Sequence, residues 1–502
     1  MFRVLAVAAA LVFGGGARAE PTATVRVAVP VPAGTYGNPF ARDDGTSTRA
    51  ALFDGLTSFT RRGKLEPALA KSWAMSAPDT WVFELRDDVA FQNGAPFTAE
   101  AVVAAVQFLQ TEAGTALDAA REVKTIAGIR AASPHRVEIV TRGPDPILPN
   151  RMANIVIPEP KAWAALGVDG FTLAPVGTGP YRPADWGRTT GRIRLVAVPG
   201  AWRAPSSVRD VELAILTDST TRLQALLSGQ VDIAVNLEAD QVETVTAAGF
   251  QVQVLPAPHI LGLLLRTEGT GVAPQLKDAR VRRALNLAVD KRAIAETVLG
   301  GRGVIASQVA TSDVFGFDPT LAPYAYDPAA AKQLLAEAGY AKGFALTFGV
   351  FSGQVPGDTL MFQVVQQNLA AVGVKATLRM LPFADFMQRL ATGSWGGINA
   401  FSTTLSSARY GDARQPLEFL SCKAAVPVFC APELTAALEA SNVELDVERR
   451  RALLQGALRL AHDLAPALLL TEYASITALA PGVKNYVARA NGVLFEQLEI
   501  ED

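Results

Sequence analysis

The sequence predicts an α/β protein built from more than one domain, and three observations carry that expectation. At 502 residues the chain is longer than one hydrophobic core can serve. Its composition, 49% apolar and 19% charged, belongs to a folded chain rather than a disordered one. Short β-rich runs alternate with helical patterns twice, once in the middle of the chain and once beyond residue 280. Strand, helix, strand at this spacing points to α/β units with a largely parallel sheet.

In chain order, Val25 to Val31 reads as a strand and Ala50 to Phe53 as helical. Trp81 to Leu85 reads as a strand, and Asn93-Gly94 as a turn. Thr98 caps a helix from Ala99 to about Gln110, with Glu100 favourably placed in its first turn. Val137 to Val140 is a strand, and Gly177-Thr178-Gly179-Pro180-Tyr181 a tight turn before the strand Ile193 to Val198. The first alternating set is Val211 to Leu216, a helix Ser219 to Leu227 ended by Gly229, Val231 to Val235, and Ile260 to Leu265. Arg280 to Leu299 reads as one helix, with Val281, Ala284, Leu285, Ala288, Val289 and Val298 at helical spacing. Asp327 caps the next, with Pro328 at its first position and Gly339 past its end. Phe344 to Phe348, a helix Met361 to Ala371 and Val374 to Arg379 form the second set. Glu448 to Leu464 is amphipathic through Leu453, Ala457, Leu460, Ala461 and Leu464. Phe401 to Cys430 stands apart. Its first half shows no helical period, carries many hydroxyls and is broken by Gly411 and Pro416, so it reads as an irregular polar segment.

The first 19 residues read as a cleaved secretion signal. Arg3 precedes an apolar run from Val4 to Phe13, and Ala17-Arg18-Ala19 is a cleavage site of the A-x-A kind. The run is too short to span a bilayer, and no cysteine at the cut point offers a lipid anchor. Loss of Arg3 and Arg18 takes the formal charge from −2 to about −4 with no basic block, which argues against nucleic acid as a partner. In an exported chain, Cys422 and Cys430 are expected to pair; two unpaired buried thiols are the alternative.

Catalytic and cofactor motifs are missing. The sequence has no HExxH, GxSxG, P-loop, EF-hand loop or CxxC, and its three histidines, His135, His259 and His462, lie far apart. Gly177-Thr178-Gly179 is only half of a dinucleotide fingerprint, and Pro180 would not open a phosphate-cradling helix. No nucleophile and base are in view, so an enzyme, here a secreted hydrolase, is the remote alternative, and no cofactor or metal is expected.

Several segments together resemble the family 5 extracytoplasmic solute-binding proteins of ABC importers, the dipeptide, oligopeptide and nickel group. They are LEPALAKSW from Leu65, the run from Trp81 to Val103, PVGTGPY from Pro175 and ALLSGQVDI from Ala225. DARVRRALNLAVDKRAI from Asp278, YDPAAAKQLLAEAGY from Tyr326, Phe429 to Leu438 and Val447 to Pro466 complete the set. The resemblance spans essentially the whole mature chain. It implies a two-lobed periplasmic-binding-protein fold, class II-like and of cluster C, with an extra domain inserted in lobe one. Lobe one would hold residues 20–54, 175–260 and 476–502, the insert 55–174, and lobe two 261–475. It further implies a monomer in the periplasm that closes on a solute and delivers it to a membrane permease.

The resemblance also bears on the solute. Dipeptide-binding members carry an Asp-Pro-Asp-Asn stretch whose place here is Gly411-Asp412-Ala413-Arg414, so only Asp412 survives as a possible amine anchor. Their arginine at the start of the helix before the VGV-like turn is absent, since that helix begins Thr359-Leu360-Met361. Arg151 falls where nickel-chelate-binding relatives place a ligand-facing arginine, and Arg409 and Arg414 flank Asp412. Guanidinium groups suit carboxylates, so the expected solute is a peptide or peptide-like, acidic small molecule, with a metal chelate as the alternative. Tyr410, Thr404 and Ser406 in the same loop, and Tyr36 and Thr46 near the N-terminus, complete the expected ligand set.

Overall fold

The computed structural model describes residues 23–30, 36–41, 47–60, 62–205, 207–351, 357–489 and 492–501. Residues 1–19, read above as a secretion signal, and Thr46 lie outside the described residues. Ten strands run side by side in one sheet, and an eleventh, Val304–Ile305, pairs with Ala467–Leu479. One half of the sheet runs Val374–Met380, Phe344–Val350, Ala400–Ser406, Gln251–Leu265, Ala467–Leu479. The other half continues Ile233–Ala234, Ala23–Val29, Val208–Ile215, Arg192–Ala197, Tyr181–Asp185.

The expected largely parallel sheet is corrected to a mixed one. Each lobe has a parallel kernel: Phe344–Val350 lies parallel to both its neighbours, and so does Ala23–Val29. The centre is antiparallel, because Gln251–Leu265 carries the chain from one lobe to the other and Ala467–Leu479 brings it back. Two adjacent crossings made in opposite senses can pair only antiparallel.

Those two strands are apolar where they pass through lobe two because both faces are covered. Leu261, Leu263 and Leu265 enter one core with Leu468 and Leu470, while Ile260 and Leu264 enter the other with Ala467 and Leu469. Gly262 sits between them because a Cβ there would press on the Leu468 carbonyl oxygen. In lobe one Val25, Val27 and Val29 face one core, and Ala28 faces another with Ala214 and Ala234. The inserted region has its own core, an antiparallel four-stranded sheet from Ala70–Ala77 to Arg136–Thr141, covered by the helix Ala99–Leu109.

Four local readings change. The run from Arg280 to Leu299 is two helices, Ala279–Leu287 and Lys291–Thr297, because Asp290 caps the second by accepting from the Ala293 amide at 2.9 Å. Thr98 holds the N-cap position, but its side chain accepts no hydrogen bond there. The buried stripe of Val447–Leu464 is centred on Leu454, Ala457, Leu458 and Ala461, with Leu453 and Leu460 half-buried. The segment after Phe401 is not irregular: Ala400–Ser406 is a strand and Arg414–Phe419 a helix. Its hydroxyls alternate with Phe401 and Leu405, which enter a core of lobe two, so the period is that of a strand.

Cys422 and Cys430 form a disulfide, with Cα atoms 4.5 Å apart. The loop they close precedes the helix Pro432–Val443, whose Thr435 hydroxyl accepts from the Cys422 amide. Replacing both cysteines by serine is expected to cost about 2.5 kcal/mol by loop entropy. A lower midpoint of thermal unfolding under non-reducing conditions, matched by wild type after reduction, checks this.

Candidate functional site

A cavity of about 940 Å³ lies over the crossing strands. Its floor is the sheet. Alternate residues of adjacent strands line it: Thr404 and Ser406; then Leu255, Ala257 and His259; then Tyr473, Ser475 and Thr477; and across lobe one Val27 and Val29. The strand period of two places these side chains on one side. The floor owes its shape to a break in pairing. The ladder between the crossing strands passes from Pro256 opposite Ala474 to Ile260 opposite Glu472, so Ala257 to His259 bulge out of it. Prolines at 256 and 258 have no amide hydrogen to give to a ladder, which favours the bulge at this point.

The walls are ionic. Asp54 accepts from the Thr178 hydroxyl at 2.8 Å, the Trp202 indole at 3.1 Å and Arg203 Nε at 3.0 Å. Arg203 also pairs with Glu496 and donates to the Ala50 carbonyl. Burial works against the charge on Arg203, but Asp54 and Glu496 outweigh it and hold the guanidinium protonated. The PVGTGPY turn makes this wall possible. A Cβ at Gly177 or Gly179 would collide with backbone of Ala51 or Leu52, so the two glycines let Thr178 reach Asp54.

Facing it, Arg409 reaches from lobe two into the inserted region. Its Nη1 lies 2.6 Å from Glu122 Oε1, and its Nη2 donates to Asp118. Arg121 shares Asp118. Asn154 donates to the Arg409 carbonyl at 2.8 Å and Asn150 to the Tyr410 carbonyl at 2.7 Å. Gly411, at φ 59°, packs against the backbone of Gly63, where a side chain would not fit. One short segment of lobe two is thus bound to the inserted region by ion pairs and carbonyl hydrogen bonds together.

Of the residues singled out from sequence, Thr404, Ser406 and Arg409 line the cavity. Arg151 and Tyr410 stand one layer behind. Arg151 is buried, ion-paired to Asp145 at 2.9 Å, and its Nη1 donates to the Tyr410 hydroxyl at 3.3 Å. Burial, with Glu122 close by, raises the Tyr410 hydroxyl above its ordinary value, so it stays protonated. Asp412, the expected amine anchor, is not among the residues that line the cavity. It is buried against Arg450 at 2.7 Å and accepts from the Arg414 amide. Arg414 turns away and pairs with Glu418 one helical turn on. Tyr36 packs edge-on against Trp186. The arginines that suggested an acidic solute, Arg151, Arg409 and Arg414, are each paired to a carboxylate of the chain.

Residues that sequence reading passed over supply much of the site. His259 is the main one. Burial holds its imidazole at a pKa of about 4, so it is neutral at neutral pH, and its Nδ1 is buried without a partner. Asn236, at φ 54°, accepts from the Ser475 hydroxyl at 2.7 Å. Nothing local marks Asp54, Arg203, Asn236 or Glu496 as site residues, since they meet only through folding.

A cavity on strands that cross between two lobes, with one lobe clasped to the other's insert, defines a two-lobed binding protein. The chain belongs to the bacterial extracellular solute-binding proteins, family 5, whose description matches residues 64–424. It is 27% identical over 491 residues to heme-binding protein A of Haemophilus influenzae, covering 88% of this chain and 86% of that one. It is 28% identical over 361 residues to the glutathione-binding protein GsiB of Salmonella typhimurium, covering 70% and 68%. The fold matches that of HbpA2 from Haemophilus parasuis with a TM-score of 0.81 at 22% identity, over 96% of this chain and 100% of that one.

Asp412→Ala is expected to destabilise the protein by about 3 kcal/mol, because it leaves the Arg450 charge buried and uncompensated. Arg414→Ala, which opens only a local pair, is expected to cost no more than about 1 kcal/mol. Urea unfolding of both variants distinguishes a buried structural pair from a ligand contact.

Proposed function

We propose that the protein is the periplasmic solute-capturing component of an ABC importer, taking a peptide or peptide-like small molecule into the cavity and delivering it to a membrane permease. The observation that carries this reading is the cavity of about 940 Å³ on the crossing strands, walled by three separate parts of the chain. That volume suits a solute of a few residues. The floor offers hydroxyl, amide and imidazole groups of the kind that bind peptide units. A relative that binds glutathione, a small peptide, supports the same class. Among the described residues no group of three or more His, Cys, Asp or Glu could hold a metal ion, and no helix is long and apolar enough to cross a membrane. Nothing at the site favours a metal chelate over a peptide-like solute. Export through the leader at residues 1–19, and action as a monomer, belong to this proposal.

Closure is the step that the site makes physically concrete. The lobes are joined by two strands, so they can hinge, and a solute that touches both shifts the population toward the closed form. Contacts such as Arg409 to Asp118 and Glu122 exist only when lobe two meets the insert.

Mass spectrometry of the purified protein after denaturation should release a small peptide-like molecule. If none is found, and no member of a peptide library raises the melting temperature, the reading fails. With a bound solute in hand, Thr404→Ala and Ser406→Ala should each weaken binding about fivefold, the worth of one hydrogen bond. Arg409→Ala should weaken it about tenfold by loosening closure. Calorimetry reads all three.

A further inference from the structure

A second cavity, of about 340 Å³, opens in lobe two past the end of the strand Gln251–Leu265. The extended backbone between His259 and Arg266 sets it roughly 20 Å from the first cavity. The two share no lining residue among those described. Three segments build it: the chain just beyond Leu265, the turn that follows the helix Phe383–Thr392, and Val426 to Val428 inside the loop closed by Cys422 and Cys430. The disulfide loop is fixed in place as one wall. Its Val428 carbonyl accepts from the Thr267 amide at 2.9 Å, and a Cβ at Gly393, at φ 70°, would press on Val426.

Arg266 borders this cavity at 1% exposure. Its Nη1 donates to the Ile398 carbonyl, and its Nη2 to the carbonyls of Glu268 at 3.3 Å and Thr270 at 3.0 Å. Its Nε is buried without an acceptor. Arg222 and Arg282 also lean on carbonyls, but in both the Nε is used. Trp395, 5.9 Å from the guanidinium across its ring, borders the same cavity, and its indole Nε1 is a second buried donor without an acceptor. Glu268 lines the cavity too, but its carboxylate accepts from the Thr267 hydroxyl at 3.4 Å and makes no ion pair with Arg266 among the described residues. Burial lowers the pKa of Arg266, and no charged neighbour offsets it.

A buried guanidinium with only carbonyl dipoles around it is held at a cost, and each orphaned N–H adds to it. An anion in the adjoining cavity would supply the missing charge and the missing acceptor together. The hydroxyls of Thr270, Thr392 and Ser394 line the cavity beside it, and Val426, Pro427 and Val428 give it an apolar side. We propose that this cavity is a second binding site, taking a small oxyanion with a short apolar body, a short-chain carboxylate, against Arg266 and Trp395. It also gives the disulfide a task beyond stability, since the loop that it closes is the apolar wall.

Calorimetry on the mature protein at neutral pH tests this with butyrate, with butyramide of the same shape but no charge, and with inorganic phosphate. Butyrate should bind saturably, and butyramide at least about tenfold more weakly. Arg266→Gln should weaken butyrate binding about tenfold or more. Trp395→Phe, which keeps a ring but loses the indole N–H, should weaken it about fivefold. Glu268→Gln, which removes the one carboxylate in the lining, should tighten it about threefold. Melting temperatures without butyrate show which variants are folded, and if Arg266→Gln is not, the opposite signs at Trp395 and Glu268 carry the test. Phosphate binding more tightly than butyrate keeps the oxyanion and overturns the apolar body. Butyramide binding as well as butyrate overturns the charge. Butyrate binding that survives Arg266→Gln, or that is lost with Thr404→Ala in the first cavity instead, overturns the site, and so does the absence of binding by butyrate and phosphate at millimolar concentration.

Discussion

The antiparallel pairing of Gln251–Leu265 with Ala467–Leu479 is the constraint on which the rest depends. It is the place where the two lobes share one sheet, and it is buried on both faces in lobe two by alternating leucines. Continuous pairing would make these strands a stiff, featureless plank. The break between Pro256 and Ile260 gives the plank a local irregularity just where the cavity lies. Floor, bulge and the place of His259 in the cavity lining are therefore consequences of one departure from regular pairing.

Around that floor charged groups join distant parts of the chain. The network of Asp54, Arg203 and Glu496 joins segments nearly the whole length of the chain apart. The contacts of Arg409 join lobe two to the insert. Half-buried pairs with several hydrogen bonds each are worth more than surface pairs, and they fix orientation. The arginines that stand out in the sequence, Arg151, Arg409 and Arg414, each take part in such a pair.

Much of the architecture was legible in the residue pattern. Ser219–Leu227 and the Asp327 cap with Pro328 follow directly from capping and periodicity. The helix break at Asp290 did not, because apolar spacing continued across it while the cap depended on one side-chain hydrogen bond. The strand Ala400–Ser406 was hidden for a related reason: its alternation of Phe401 and Leu405 with hydroxyls looks polar unless the cavity face is known. Of the candidate site, Thr404, Ser406 and Arg409 were visible in one loop, but Asp412 and Arg414 beside them were not distinguishable from them by type.

The sequence by itself determined the α/β class, the family and the disulfide, because those depend on local patterns and on spacing along the chain. Only the tertiary structure decided which polar groups face the cavity and which are spent on each other. Asp412 meets Arg450 thirty-eight residues away, and Arg203 meets Glu496 across 293. Whether a charge is free depends on such distant neighbours, and a linear reading sees the charge but not its partner.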